Sequence, residues 1–214
     1  MGTASREALV AKVERELGPF DPVHLHALLA VPRERFVRPE DIAVAGEDRP
    51  LPLDESGLAT ISAPHAYLLS FRLLALRAGD ALLELGSGTG YGAALASYIV
   101  GREGHVTTVE IDAHLASRAR SLLEPIANVT VLGGDATTSA ALFAGVKKIV
   151  CTFAVAEIPP AWLDALGEGA VLVAPVGAPE RDQRLLRVER RGGRLITSDH
   201  GGVRYVPNRA SLSS

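Results

Sequence analysis

Cysteine, tryptophan and methionine each occur once in the 214 residues, and aromatic residues make up only 5%. A single cysteine excludes an internal disulfide and a thiol-rich metal site. Cys151 stands inside the apolar run IVCTF and reads as a small buried hydrophobe in a reducing compartment. Charge of neither sign dominates. The 22 basic and 25 acidic residues leave −3, which gives no broad electrostatic case for nucleic acid or an anionic membrane surface. No apolar run approaches the length of a membrane span. The opening stretch, MGTASREALVAKVEREL, is charged and amphipathic, unlike a secretory signal. These absences lead us to expect a cytoplasmic protein with no membrane and no nucleic-acid partner, most simply a monomer.

Apolar residues reach 47%, over a length suited to one domain with a real core. Two helices are expected first. Ser5 can cap one that carries an apolar stripe of Leu9, Val13 and Leu17 and stops at Gly18. Asp21-Pro22 opens the other, which Pro32 ends. A proline-rich connection over 38–57 precedes a third helix over 65–79, with Gly79 as terminator. Strands near 81–85, 105–110, 129–132, 147–153 and 169–176 then alternate with helices near 91–100, 112–124 and 159–166. Such alternation predicts an α/β fold, a parallel sheet covered on both faces. The last third changes character: Gly192-Gly193 marks a hairpin, and GGVRYVP reads as a final short strand. One domain over 1–214 is expected, with helices and a substrate-side segment in 1–78 and the cofactor-binding sheet in 79–214.

The most informative stretch is ALLELGSGTGYG (81–92), an apolar strand ending in Glu84, followed by Gly86, Gly88, Gly90 and Gly92. A dinucleotide fingerprint fails at its third glycine, where Tyr91 stands, and no lysine follows to make a P-loop. A glycine turn with no cation and an acid just before it suits a ligand without phosphates, such as S-adenosylmethionine. Glu110 closes the next strand, at the spacing from which an acid reaches ribose hydroxyls, and Asp135 closes the one after. The turn residues Glu84, Gly86, Ser87, Gly88, Gly90 and Tyr91 are therefore expected around the cofactor.

A second motif, GLATISAPHAYLLS (57–70), is more specific. Together with VPRERFV (31–37), EDRPLPL (47–53), APVGAPERDQRLLRVER (174–190) and VRYVP (203–207), it resembles the protein-L-isoaspartate O-methyltransferases over nearly the whole chain. The resemblance implies a class I, Rossmann-like methyltransferase sheet with an antiparallel C-terminal end and a helical N-terminal extension. It implies methylation of isoaspartyl carboxylates in damaged proteins and peptides, with S-adenosylmethionine consumed and S-adenosylhomocysteine released. It places Ser62 as the catalytic hydroxyl and Thr60, Ile61, His65 and Val206 beside the substrate. Ala59, Thr60, Ile61, Ser62, Ser87, Glu110 with Ile111, and Asp135 with Ala136 would surround the cofactor.

Plainer readings stand beside these. Ser62 could cap a helix starting at Ala63-Pro64, and His65 could be a surface residue of its first turn. His24 and His26 do not share a helix face, so no metal is expected. Trp162 reads as core. The chain also departs from the family. CTFAVAEIPP (151–160) puts Phe153 and Val155 where small residues stand, and Ala156 replaces proline. DESG (54–57) and Asn208-Arg209-Ala210 are also unusual, the last where relatives carry a threonine. Two alternatives follow: a carboxylate methyltransferase with another acceptor, or a non-catalytic cofactor-binding relative.

Overall fold

The computed structural model describes residues 3–138, 140–178 and 181–209. Helix α1 (Thr3–Leu17) begins before Ser5, so that serine lies within the first turn rather than capping it. Leu9 and Val13 of its stripe are buried, whereas Leu17 remains exposed. Helix α2 (Pro22–Ala30) starts as expected, with the Asp21 carboxylate accepting the Val23 N–H at 3.0 Å. The proline-rich connection holds elements without a periodic signature. A 3₁₀ turn spans Pro39–Val44, and β1 (Leu51–Pro52) pairs antiparallel with β2 (Thr60–Ile61). Helix α3 (Pro64–Leu74) ends well before Gly79. Ala75 takes a left-handed conformation (φ 49°), and the N–H groups of Ala75 and Leu76 turn back to Arg72 and Phe71, each at 2.9 Å. That stop buries Leu76, while Gly79 turns the chain into the next strand.

From there strand and helix alternate: β3 (Ala81–Leu85), α4 (Tyr91–Val100), β4 (His105–Glu110), α5 (Ala113–Leu123), β5 (Val129–Gly133), β6 (Lys148–Cys151), α6 (Pro160–Ala165) and β7 (Val171–Val176). These five strands are parallel. Antiparallel β8 (Gln183–Arg191) and β9 (Arg194–Val203) complete a sheet of order β5-β4-β3-β6-β7-β8-β9. The Gly192-Gly193 hairpin forms with both residues at positive φ (59° and 73°), the requirement of a type I′ turn. The expected separate strand in GGVRYVP does not form. Residues 201–203 continue β9 past a bulge opposite Arg184–Leu186, so the strand runs on from the hairpin.

Side-chain alternation divides the core. Leu82 faces α1–α5, whereas Leu83 and Leu85 face α6 and the 3₁₀ turns near 140. Trp162 is fully buried on that second side, and its Nε1–H donates to the Ala136 carbonyl at 3.2 Å. Burial pushes the Cys151 thiol up to about 12, which suits the inert packing role read from the sequence. Among the described residues no helix is long and apolar enough to cross a membrane.

Candidate functional site

The chain leaves β3 for β4 and β5 on one side, then crosses back to β6 on the other. The C-terminal end of β3 is thus a topological switch point, where ligands of open α/β sheets bind. The glycine turn caps it. The N–H groups of Gly86 and Ser87 both bond the Val109 carbonyl, at 2.9 and 3.0 Å, folding the turn over β4. Gly86 stands at φ 97°, and a Cβ there would press into Thr152 and lie 2.9 Å from Phe153 Cδ1. A side chain is therefore excluded by both dihedral angle and space.

Glu84 does not reach the space above this turn. In β3 it shares a face with Leu82, so it points beneath α4 and is only 1% exposed. Thr108 Oγ1 donates to it at 2.6 Å, and Ser87 Oγ lies 2.6 Å from the same threonine hydroxyl. Burial first, then the nearby Glu110, push the Glu84 carboxyl up to about 8, although Thr108 and the Ala93 N–H oppose the shift. A folded-state value above the ordinary 4.5 means that the native protein holds this proton through pH 4.5–8 while the unfolded chain releases it. Stability is therefore expected to fall as pH rises through that window, and Glu84→Gln should flatten the slope. Urea midpoints at pH 5 to 8 check this; equal slopes in both proteins would refute it.

Above the turn lies a crevice of about 560 Å³, part of it open to solvent. Of the residues expected around a cofactor, Ala59, Thr60, Gly86, Gly88, Glu110, Ile111, Asp135 and Ala136 line it. Ile61, Ser62, Ser87 and Tyr91 line an inner recess that shares Thr60, Gly86 and Gly88 with it. Glu84 and Gly90 line neither. Gly90 backs onto α5, where a Cβ would meet Leu123. Glu110 is oriented by two backbone donors, Gly88 to Oε2 at 2.7 Å and Asp112 to Oε1 at 3.0 Å. Burial raises its pKa, and those two bonds oppose the rise. Asp135 Oδ1 accepts from the N–H and the hydroxyl of Thr137, at 2.8 and 2.7 Å. Its Oδ2 has no partner among the described residues. The site thus offers two fixed acceptors at neighbouring strand ends, with Arg209 lining the same crevice.

The β1–β2 pair holds the ATISAPH segment against the turn, with Leu53 Cδ1 packed at Gly88. Ser62 does not cap α3. Ala63 occupies the cap position and makes no side-chain cap bond. Ser62 and Thr60 instead border a groove formed with His65, Ala66 and residues 202–205, so the inner recess opens toward a surface channel at Ser62. His65 is not a free surface histidine. The Asp48 carboxylate takes its backbone N–H at 3.1 Å and its Nδ1 at 2.9 Å. Burial alone would raise the Asp48 pKa, but the bonds from His65 hold it below the usual value. Val206 lines the main crevice rather than this groove.

The three sequence departures meet in space. Ala154 N–H donates to the Val206 carbonyl at 2.8 Å and Asn208 N–H to the Ala154 carbonyl at 3.1 Å, which lays the 206–209 segment over the crevice. Arg209 then pairs with Asp112 at 3.2 Å and Asp54 at 3.4 Å, joining that segment to the DESG loop. Ala210 lies outside the described residues. Phe153, edge-on to Trp162 at 6.4 Å, walls the crevice. No residue of 153–156 lines the groove at Ser62. Sequence reasoning missed Thr152, Arg209, Arg33 and Tyr67 as parts of the site. Thr152 and Arg33 act through backbone distant in sequence and Arg209 through distant carboxylates, while the Tyr67 hydroxyl meets the Ser62 backbone across a helix start; none leaves a periodic signature.

The family model described as Protein-L-isoaspartate(D-aspartate) O-methyltransferase matches residues 4–212. A protein-L-isoaspartate O-methyltransferase of Methanocella arvoryzae is 41% identical over 180 residues, covering 83% of this chain and 93% of that protein. One from Ignicoccus hospitalis is 43% identical, covering 85% and 86%. Among solved structures, a protein-L-isoaspartate O-methyltransferase superposes with a TM-score of 0.86 at 27% identity, covering 95% of this chain and 65% of that one. A Plasmodium falciparum structure described as the same kind of enzyme, in complex with S-adenosyl-L-homocysteine, has a TM-score of 0.81 at 20% identity, covering 94% and 97%.

Proposed function

The chain belongs to the protein-L-isoaspartate (D-aspartate) O-methyltransferase family and has its class I methyltransferase sheet, and from that premise we propose that it methylates the carboxylate of L-isoaspartyl residues, using S-adenosylmethionine. One observation carries the reading: Ser62 stands where the recess over the glycine turn meets an open groove. A crevice over the turn suits the cofactor, and a surface groove suits a polypeptide.

The residues present fit the cofactor. Glu110 would accept from ribose hydroxyls through lone pairs left after its two backbone bonds, and Asp135 Oδ2 would accept from the adenine amino group. Ile111, 40% exposed in the crevice wall, would lie against the ring. Glu84 and Gly90 would act by shaping the turn. Replacing Asp135 or Glu110 with Ala is expected to weaken S-adenosylhomocysteine binding by about 1–3 kcal/mol. Calorimetry measures this, and unchanged affinity would remove the residue from the site.

When bound, S-adenosylmethionine supplies a methyl group made electrophilic by its sulfonium. The protein needs no general base, because a carboxylate with an ordinary pKa near 4 is already ionised at neutral pH. Its task is to hold the carboxylate in line and dry, and such orientation is worth roughly 7–11 kcal/mol in intramolecular models. The Ser62 hydroxyl would donate to one carboxylate oxygen and leave the other lone pairs free for attack. A lysine or arginine there would over-stabilise the nucleophile. The resulting methyl ester is a better leaving group than the carboxylate. The adjacent backbone nitrogen of the substrate then closes a succinimide, releasing methanol, and hydrolysis of the ring returns some normal aspartate.

Thr60 and His65 would flank the bound polypeptide at the groove, Ile61 would back them from the inner recess, and Val206 would close the crevice behind it. The protein is read as acting alone, as a monomeric single domain in the cytoplasm. A peptide bearing isoaspartate should accept labelled methyl while its normal-aspartate twin does not. Equal labelling of both would refute the reading.

A further inference from the structure

Ser62 lies in a segment with little regular structure, yet two buried side chains from other elements grip its backbone. Arg33 is 1% exposed and has no carboxylate partner among the described residues. Its guanidinium donates to five carbonyls: Ala45 at 3.1 Å, Glu47 at 3.0 Å, Arg49 at 2.8 Å, Ile61 at 3.5 Å and Ser62 at 3.0 Å. Burying a cation without a direct carboxylate partner is costly, and here both terminal nitrogens are spent on carbonyls, while Nε finds no partner. Here the planar fork does for an irregular segment what a neighbouring strand does for a sheet edge.

Tyr67, in the second turn of α3, grips the other side. Its ring stands edge-on to Tyr91 at 5.5 Å and lies 6.5 Å from Phe71, which fixes where the hydroxyl falls. That oxygen accepts the Ser62 N–H at 3.2 Å. With the N–H held by Tyr67 on one side and the carbonyl held by Arg33 on the other, the Ser62 backbone is fixed, and with it the direction in which its side chain leaves the chain. Burial, and then Glu84, raise the Tyr67 pKa, so the phenol keeps its proton at any working pH.

We propose that Tyr67 and Arg33 are positioning residues for Ser62: together they fix its backbone on both sides and so hold its hydroxyl at the groove, where the acceptor carboxylate would lie. The acceptor's identity rests on the function proposed above; the grip on Ser62 does not.

A double-mutant cycle tests the idea. Tyr67→Phe preserves shape and is expected to lower kcat on an isoaspartyl peptide about tenfold, with KM and S-adenosylhomocysteine affinity within about twofold. In a Ser62→Ala background the same change should have no further effect, because the group it orients is gone. Arg33→Lys keeps the charge but loses the fork, and should show the same kcat-only loss. Wild-type kcat in Tyr67→Phe, an undiminished tenfold loss on the Ser62→Ala background, or a parallel loss of cofactor affinity would overturn the proposal. Hydrogen exchange at the Ser62 amide reads the grip without any substrate. Protection should fall about tenfold in Tyr67→Phe, and unchanged protection would overturn the proposal even if Arg33→Lys did not fold. A wild-type protein inactive on both twin peptides would refute the proposed acceptor instead.

Discussion

Ser62→Ala is expected to lower turnover of an isoaspartyl peptide about 100-fold, the usual consequence of deleting one preorganised donor from a reaction centre. The hydroxyl borders the groove and the recess, and its backbone is held by Tyr67 and Arg33, neither of which the substitution touches. The geometry of the segment should therefore survive, and S-adenosylhomocysteine affinity should stay within about twofold. The loss falls on kcat rather than KM if the hydroxyl aims the carboxylate only as the methyl is attacked. Single-turnover methyl transfer, with calorimetry on the same variant, separates the two. Turnover within about threefold of the wild type would remove Ser62 from the centre, and the positioning role of Tyr67 would fall with it.

The alternative acceptors raised by the Phe153 loop draw little support from the structure. That loop pairs with the 206–208 segment, and its aromatic ring walls the cofactor crevice, away from the groove at Ser62. Val155 bonds Pro175 and packs into the core, whereas Phe153 and the Asn208-Arg209 pair build one wall of the crevice. They bear first on how the crevice closes.

The sheet was legible because its signals are local. Apolar strands of five or six residues ending at Leu85, Glu110 and Gly133, separated by helices, dictate order and direction. The hairpin was legible from Gly192-Gly193 alone. What failed to show has no period to read. A pairing of two residues with two, as in Leu51–Pro52 with Thr60–Ile61, lies below any alternation pattern. The end of α3 turned on Ala75, a residue that rarely takes a left-handed conformation, and tertiary burial of Leu76 decided it. The site divided the same way. Glu110 and Asp135 follow from strand ends, whereas Arg33 sits in a charged run, PRER, with nothing local to mark it as buried. Only the fold brings five carbonyls around it. Glu84 was expected at the ligand because it precedes the glycines, but strand parity sends its side chain beneath α4 instead.

That parity makes Gly92 the most exacting position in the turn. Gly92→Ala is expected to destabilise the protein by about 2 kcal/mol, although alanine in a helix is ordinarily favoured over glycine by roughly 0.5–1 kcal/mol. The added Cβ would collide with Glu84 Oε1 and stand 2.7 Å from Tyr67 Cε1. Neither neighbour can yield freely. Glu84 is tied to Thr108 at 2.6 Å and buried, and the Tyr67 ring is wedged against Tyr91 and Phe71. Overpacking of this kind costs about 1–3 kcal/mol and outweighs the helix preference. The collision also has a functional consequence. A Tyr67 ring pushed aside carries its hydroxyl away from Ser62, so the surviving folded protein should lose kcat as Tyr67→Phe does. Urea unfolding and methyl transfer on the same preparation test both halves. A variant as stable as the wild type would mean that Glu84 and Tyr67 move aside at little cost, and full activity would then show that Ser62 keeps its aim without a fixed phenol.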